Sequence, residues 1–400
     1  MVGVVRDRLN QDGGDSAREV ALRRLIVVVG AVVFLDTLFY AVIAPLLPDL
    51  SHQLHLSKLS AGLLTACYPA GMLIGSIPGG VLTMRAGPRF TVCTGLLLLG
   101  CSTLAFGFLL SAPGLDLARF VEGLGGACSW AGGMAWVVAE TPAERRGAMI
   151  GVAVAAAIGG SLFGPAVGAL ATATGRPPLF GAVAVVAGGL MVATRALPFH
   201  RVSSGQGLGA LGRVLRTRVV IAGIWLMTLP AIASGMITVL APLRLHRFGA
   251  GAGVIGATFL VGAGFEAALS SAIGRISDRR GRLAPLRFGL LSVTAAFVCF
   301  TLPQSVVGLS VLVVIMASVL GTFWAPAMAM LSDAAETQDL DQGLAAALMN
   351  FGWAGGQIIG AGAGGAVAKV AGDAVPTIAT AILCAVTLSV LVRRRETITS

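Results

Sequence analysis

Twelve apolar stretches of roughly twenty residues, separated by short segments rich in arginine, glycine and proline, leave this chain few ways to fold. A helix rises about 1.5 Å per residue, so each stretch can cross ~30 Å of hydrocarbon. In lipid every backbone N–H and C=O needs an internal partner, which a helix supplies and an open strand does not. Over half of the residues are apolar and 12% are charged, a balance that a water-soluble domain of this length could not hide. We therefore expect an all-α, multi-pass membrane protein.

The stretches run roughly over 25–47, 60–83, 90–111, 114–138, 147–173, 178–197, 218–241, 252–275, 286–303, 305–330, 343–369 and 372–392. Landmarks recur at nearly constant offset. The basic turn Gly80, Arg85, Gly87, Arg89 returns as Gly274, Asp278, Arg279, Gly281, Arg282. Ala44-Pro45-Leu46 returns as Ala241-Pro242-Leu243, and Gly160, Gly164, Gly168 as Gly356, Gly360, Gly364. Half of the chain is a copy of the other half. We expect an N-terminal segment 1–24, a six-helix bundle 25–198, a Gly-, Ser- and Arg-rich linker 199–217, a second bundle 218–392 and a tail 393–400. Parallel repeats of six spans point to a transporter whose binding site lies near the midplane and whose halves rock around it.

The net charge of +10 does not form one surface, so nucleic acid is not an expected partner; the partners are a small-molecule substrate, protons and the bilayer. With both termini inside, the inner segments hold 22 of the 28 basic residues, against Lys58, Arg176, Arg244, Arg247 and Lys369 outside. The positive-inside rule then places the termini in the cytoplasm of a cell membrane. The first apolar run is too long for a signal-peptide core and lacks a small-residue cleavage site, so no cleavage is expected there. The six cysteines all fall inside apolar stretches without a paired spacing and read as small core residues. No cofactor, metal or enzyme activity is implied. Gly207-Leu-Gly209-Ala-Leu-Gly212 lacks a preceding strand, the lysines Lys58 and Lys369 follow no glycine, and His52, His55, His200 and His246 sit in loops or at membrane edges.

Four charges within the spans cannot easily reach an interface: Asp36, Arg119, Glu122 and Glu266. A charge in hydrocarbon costs about 2.5–3.5 kcal/mol on insertion scales, so such residues face a cavity or a partner. Asp36, midway along the first span, is suited to hold either a proton or a cation; a protonated carboxyl bonded to a neighbouring helix is the structural alternative. Arg119 and Glu122 share a helix face and can pair, for proton handling or as a structural ion pair. Glu266 stays open between cavity and helix contact.

The residues around the basic turns resemble the loop motif of the major facilitator superfamily, and the likeness covers essentially the whole chain after residue 24. It implies twelve transmembrane helices in two pseudo-symmetric bundles working by alternating access. The second turn is complete with Asp278; the first has Met84 where the family places an aspartate that latches the halves, and Asp333, Glu336, Asp339 and Asp341 either pair instead with Arg85 and Arg89 or form a solvated acidic loop. Leu35-Asp36 through Pro48 is similar to the first helix of vesicular amine transporters and bacterial multidrug antiporters, which implies a role for Asp36 in proton and substrate binding. Arg119-Phe-Val-Glu122-Gly123 resembles the helix 4 motif of proton-coupled members. Gly160, Gly164, Pro165 and Gly168 lie in a stretch similar to the helix 5 signature of proton-driven exporters, with Ala169 in place of the last glycine.

Tyr40, Trp130, Trp136, Trp225 and Trp324 fall on spans 1, 4, 7 and 10, which line the cavity in that superfamily; only Tyr68 and Trp353 lie elsewhere. Rings around a carboxylate suit a lipophilic cation, and interface anchoring competes as an explanation. Tyr40, Trp130, Trp225, Trp324 and Asn350 join Asp36 as the expected substrate contacts. Arg119, Glu122 and Glu266 join it for protons. We expect a monomeric exporter of small amphipathic compounds, cations foremost, in exchange for protons. Two alternatives are an exporter of sugars or other neutral metabolites, with Thr37, Asn350 and Gln357 as polar contacts, and a transporter-like receptor or lipid flippase.

Overall fold

The computed structural model describes residues 2–142, 145–197, 217–281, 283–337 and 342–399. Of the expected linker 199–217, residues 199–216 lie outside the described residues. Span 1 is formed by α1 (Val2–Ala41) and α2 (Ile43–Gln53), and α3 (Lys58–Ala86), α4 (Pro88–Phe108), α5 (Ala112–Glu140), α6 (Arg146–Thr174) and α7 (Arg176–Arg195) complete the first half. The second half holds α8 (Arg218–Arg247), α9 (Ala252–Arg280), α10 (Leu283–Val298) with a 3-10 turn at Cys299–Thr301, α11 (Val306–Glu336), α12 (Gln342–Ile358), a π turn at Ile359–Ala363, α13 (Gly364–Ala371) and α14 (Ala374–Thr399).

Ten helices among the described residues are long and apolar enough to cross a membrane. The other two expected spans are helical but fall short of that measure for local reasons. The fourth, α5, carries Asp116, Arg119 and Glu122 in its first half, and glycines, Ser129 and two tryptophans lower the hydropathy of the rest. The eleventh is cut into α12, the glycine-containing π turn and α13. The break between α1 and α2 at Val42 also has a local cause. Pro45 has no N–H to offer Ala41, and its ring crowds that turn, leaving only a long Val42 N–H to Phe39 carbonyl contact of 3.4 Å.

The repeat is visible in the packing. In the first half α1 lies on α6, α3 on α5 and α4 on α7; in the second α8 lies on α12, α9 on α11 and α10 on α14. Small residues set these distances. A Cβ at Gly160 would meet the Phe34 carbonyl at 2.3 Å, at Gly164 the Leu38 carbonyl at 2.6 Å and at Gly168 the Val42 carbonyl at 2.3 Å. Their copies do the same to α8, Gly356 against the Thr228 carbonyl at 2.4 Å and Gly360 against the Ile232 carbonyl at 2.1 Å. Both basic turns bend at a glycine of positive φ, Gly87 at 92° and Gly281 at 86°, where a side chain would be strained.

The halves meet where α3 packs on α12 and α13, α6 on α9, and α2 on α8 and α9. Gly62 lies against the Ala361 carbonyl and Gly365 against that of Lys58, and Gly256 makes room for Ala169 and the Pro165 carbonyl. At the same end Asp373 gathers several elements. Lys58 from the first half and Arg247 from the second both donate to it, and Arg244 lies 3.6 Å away. Burial by itself raises the Asp373 carboxyl, but Lys58 and Arg247 outweigh that and hold it below its ordinary value.

Candidate functional site

Asp36 is fully buried on α1, within reach of side chains from α3 and α5. Interlocked glycines allow that approach. A Cβ on Gly71 of α3 would lie 2.0 Å from the Phe120 carbonyl, and one on Gly123 of α5 would lie 2.0 Å from the Tyr68 carbonyl. Gly126 faces the carboxyl itself, where a Cβ would sit 2.6 Å from Asp36 Oδ1. Two donors on different helices reach the other oxygen. The Tyr68 hydroxyl donates to Oδ2 at 2.9 Å and the Trp130 indole N–H at 3.1 Å. Among the described residues Oδ1 has no hydrogen-bond partner.

Arg119 is 1% exposed and Glu122 2%. One guanidinium nitrogen, Nη1, donates to both Glu122 oxygens at 3.0 Å and to the Phe39 carbonyl at 2.9 Å, while Nη2 donates to the Tyr40 carbonyl at 3.2 Å. Those two carbonyls precede the break that Pro45 imposes, so Arg119 supplies donors that the interrupted helix lacks. The pair is electrically neutral and ties α5 to α1, and its guanidinium lies 5.2 Å above the Tyr68 ring.

Four rings wall this region. Tyr40 stands 5.1 Å from Tyr68 and 5.4 Å from Trp353 between ring centres, and Tyr40, Trp130 and Trp353 pack on Tyr68, Met72 and Ala127. Trp353 belongs to α12, so the second half contributes to the enclosure. Tyr68 and Trp353 are the residues that sequence reasoning placed elsewhere. The glycines Gly71 and Gly75 mark the face of α3 that meets α5, and Tyr68 lies on it at helical spacing, which is the signal that could have found it. Trp353 precedes Gly356 and Gly360 at the same spacing, although those glycines mark the face that meets α8.

The remaining expected residues are distributed. Glu266, on α9, is half-buried and takes a hydrogen bond from Trp324 of α11, close to where Gly321 meets the Glu266 carbonyl at 2.5 Å. Each half thus pairs a carboxylate with an indole, since Trp130 and Trp324 occupy matching positions of the repeat. Asn350 is half-buried on α12. Trp225 is not brought to this region. It is 38% exposed beside exposed Ile221, and its indole donates to Thr387 of α14. Trp136 is buried in the core of the first half.

Of the turn residues, Arg85 is exposed and Arg89 donates to the Arg195 carbonyl in its own half. Gly80 has open space around it. Arg282, Asp339 and Asp341 lie outside the described residues, as do the side-chain environments of Gly274, Asp278, Arg279 and Glu336. Among the described residues no three His, Cys, Asp or Glu side chains gather as metal ligands.

The whole-chain architecture matches solved transporters. A partially occluded inward-open structure of the xylose transporter XylE from E. coli superimposes with a TM-score of 0.74 over 93% of this chain and 97% of that one, at 14% identity. A crystal structure of a mutant of the nucleoside transporter NupG gives 0.74 over 92% and 99%, at 13% identity. At such identity the likeness concerns the fold alone. Among curated proteins the chain is 30% identical over 152 residues to "Multidrug resistance protein 1" of Bacillus subtilis (strain 168), covering 38% of this chain and 39% of that protein. It is 30% identical over 168 residues to "Probable vesicular acetylcholine transporter-B" of Danio rerio, covering 39% and 34%. With "Quinolone resistance protein NorA" of Staphylococcus aureus (strain MRSA252) it shares 27% over 158 residues, 39% of this chain and 41% of that protein. The chain therefore spans about two fifths or less of the length of these curated relatives. The family model described as Major Facilitator Superfamily matches residues 29–337 and 233–399. Fold, repeat and family match agree: this chain belongs to the Major Facilitator Superfamily of multi-pass membrane transporters.

Proposed function

We propose that the chain is a monomeric secondary active transporter that exports small amphipathic cations in exchange for protons. The observation that carries this is Asp36, a fully buried carboxyl with one oxygen unpartnered among the described residues, enclosed by Tyr40, Tyr68, Trp130 and Trp353. Aromatic faces around a carboxylate favour an ammonium-like head through charge pairing and cation–π attraction. The names of the relatives, which concern multidrug resistance, quinolone resistance and vesicular acetylcholine, support the same substrate class.

The two bundles of this reading are 25–198 and 218–392, with the basic turns and the glycine seams of α6 as the moving parts. With the arginine-rich segments in the cytoplasm of a cell membrane, the end sealed around Asp373 faces outward. A cation enters from inside and pairs with ionised Asp36, and the halves rock. A proton from outside then neutralises Asp36 and releases the cation. Arg119 and Glu122 hold the geometry of α1 and α5, and Glu266 offers a second protonatable group. Competition for one carboxyl is enough to couple the two flows.

The test is ethidium accumulation in cells lacking their own exporters, with and without a protonophore, comparing the native chain with Asp36→Asn. Lowered accumulation that the protonophore abolishes and Asp36→Asn lacks is the expected result. Unchanged dye levels with the protein in the membrane would remove the cationic-drug reading and leave neutral metabolites.

A further inference from the structure

We propose that Asp36 Oδ1 is the single exchange atom of this transporter, and that Tyr68 and Trp130 are positioning residues that make it so; the inference rests on the cation–proton exchange proposed above. A carboxylate has about four lone-pair sites over its two oxygens. On Oδ2 they are occupied by the Tyr68 hydroxyl at 2.9 Å and the Trp130 indole at 3.1 Å. The indole N–H is a donor only, so a proton arriving on Oδ2 would meet another hydrogen head-on. Both donors are rooted on helices that the glycine contacts at Gly71, Gly75 and Gly123 hold together.

Oδ1 is different. It has no partner among the described residues, and the neighbouring backbone is Gly126, where even a methyl would come within 2.6 Å. The charged and titratable groups acting on Asp36 are Tyr68 from α3 and Glu122 and Arg119 from α5, the last two already bonded to each other. On the far side α6 presents Gly160 and Gly164 to α1. Among the described residues nothing else competes for Oδ1. For a cation to pair there, the O–H bond at Oδ1 first breaks, the proton leaves to water, and the ionised carboxylate left behind pairs with the cation. The charge of the site is then the same before and after binding. Asp36 is closed off in this state, so exchange waits on the partly exposed rings Tyr40 and Trp353 while the donors on Oδ2 stay in place. If Oδ2 were free, the proton could sit there and leave Oδ1 as a neutral carbonyl acceptor for the cation, so exclusion would weaken.

The experiment measures proton release on binding. Tetraphenylphosphonium is added to the purified full chain in weakly buffered detergent, with binding followed by calorimetry and protons by an indicator dye. The native chain should release close to one proton per cation bound. Tyr68→Phe and Trp130→Phe, each of which vacates a lone pair on Oδ2, should still bind but release at least twofold fewer protons per cation, a ratio that loosened packing alone would not change. Melting curves confirm that each variant is folded, and either variant alone carries the test. If a folded variant keeps the full native ratio, the single-atom proposal is overturned while the exporter reading stands. If the native chain binds no tetraphenylphosphonium or releases no proton, the exporter reading fails and takes this inference with it.

Discussion

Replacing Lys58 with alanine should loosen the seam between the halves at the end that carries Asp373. Lys58 Nζ lies 2.5 Å from Asp373 Oδ1, with side-chain exposures of 25% and 4%. An exposed ion pair contributes about 0.2–1 kcal/mol, whereas removing one partner of a buried pair costs about 3–5 kcal/mol. The Lys58 pair lies between those limits, and Asp373 keeps Arg247 and Arg244 after the change. A loss of about 1–2 kcal/mol follows, which shifts the closed-to-open ratio roughly five- to thirty-fold. Asp373→Asn should do at least as much, because it leaves Lys58, Arg244 and Arg247 facing one another without a counter-charge. Spin labels on cysteines at exposed Gln53 and Val370, one in each half at that end, would report the separation. Longer distances should gain population in Lys58→Ala and Asp373→Asn and not in Lys58→Arg. The pH dependence has a definite sign. Asp373 is held below the ordinary carboxylate value in the closed state, so the pair is at full strength above about pH 4 and is lost only on further acidification. Distance distributions that are the same for native and Lys58→Ala chains, or a native seam that opens between about pH 8 and 6, far above that carboxylate range, would refute the reasoning.

Three other outcomes follow from packing and pairing. Gly164→Val should cost about 1–3 kcal/mol by overpacking, since even a Cβ would lie 2.6 Å from Ala41 Cβ, whereas Gly80→Ala, with nothing within 4 Å of the new methyl, should leave the melting temperature unchanged or raised. Arg119→Ala should destabilise by about 3–5 kcal/mol because Glu122 is left buried and unpaired; if the double variant Arg119→Met, Glu122→Leu regains stability but not proton-dependent export, the pair handles protons as well as holding α1. Trp324→Phe, which removes the donor to half-buried Glu266, should cost at most about 1–3 kcal/mol of stability, read as a lowered melting temperature. Trp225→Phe, facing outward, should stay within about twofold of the native rate of dye export, as surface changes usually do.

Hydropathy and spacing are properties of the chain read in one dimension, and whatever depends on them alone was legible. The helical spans, the internal duplication, the membership of the family and the isolation of Asp36, Arg119 and Glu122 in apolar surroundings all belong here. So do Gly160, Gly164 and Gly168, because a small residue every fourth position can only mean a helix face pressed against another backbone. Even the break at Val42 has its cause in a single proline three residues on.

What the chain could not disclose is how far each helix is turned about its own axis. That angle is set by all the neighbours of a helix at once, and a rotation of a third of a turn carries a side chain from the interior to the lipid. Trp225 and Trp130 sit on spans chosen by the same rule, yet one points outward to Thr387 and the other donates to Asp36. Tyr68 and Trp353, on spans that the rule passed over, complete the ring enclosure. The cluster on Asp373 joins residues 315 and 126 positions apart in sequence, a contact with no periodic signature. Sequence determined which residues are too costly to bury without purpose; only the packing of both halves decided which of them meet, because partners are chosen in three dimensions by the glycines that let the helices close.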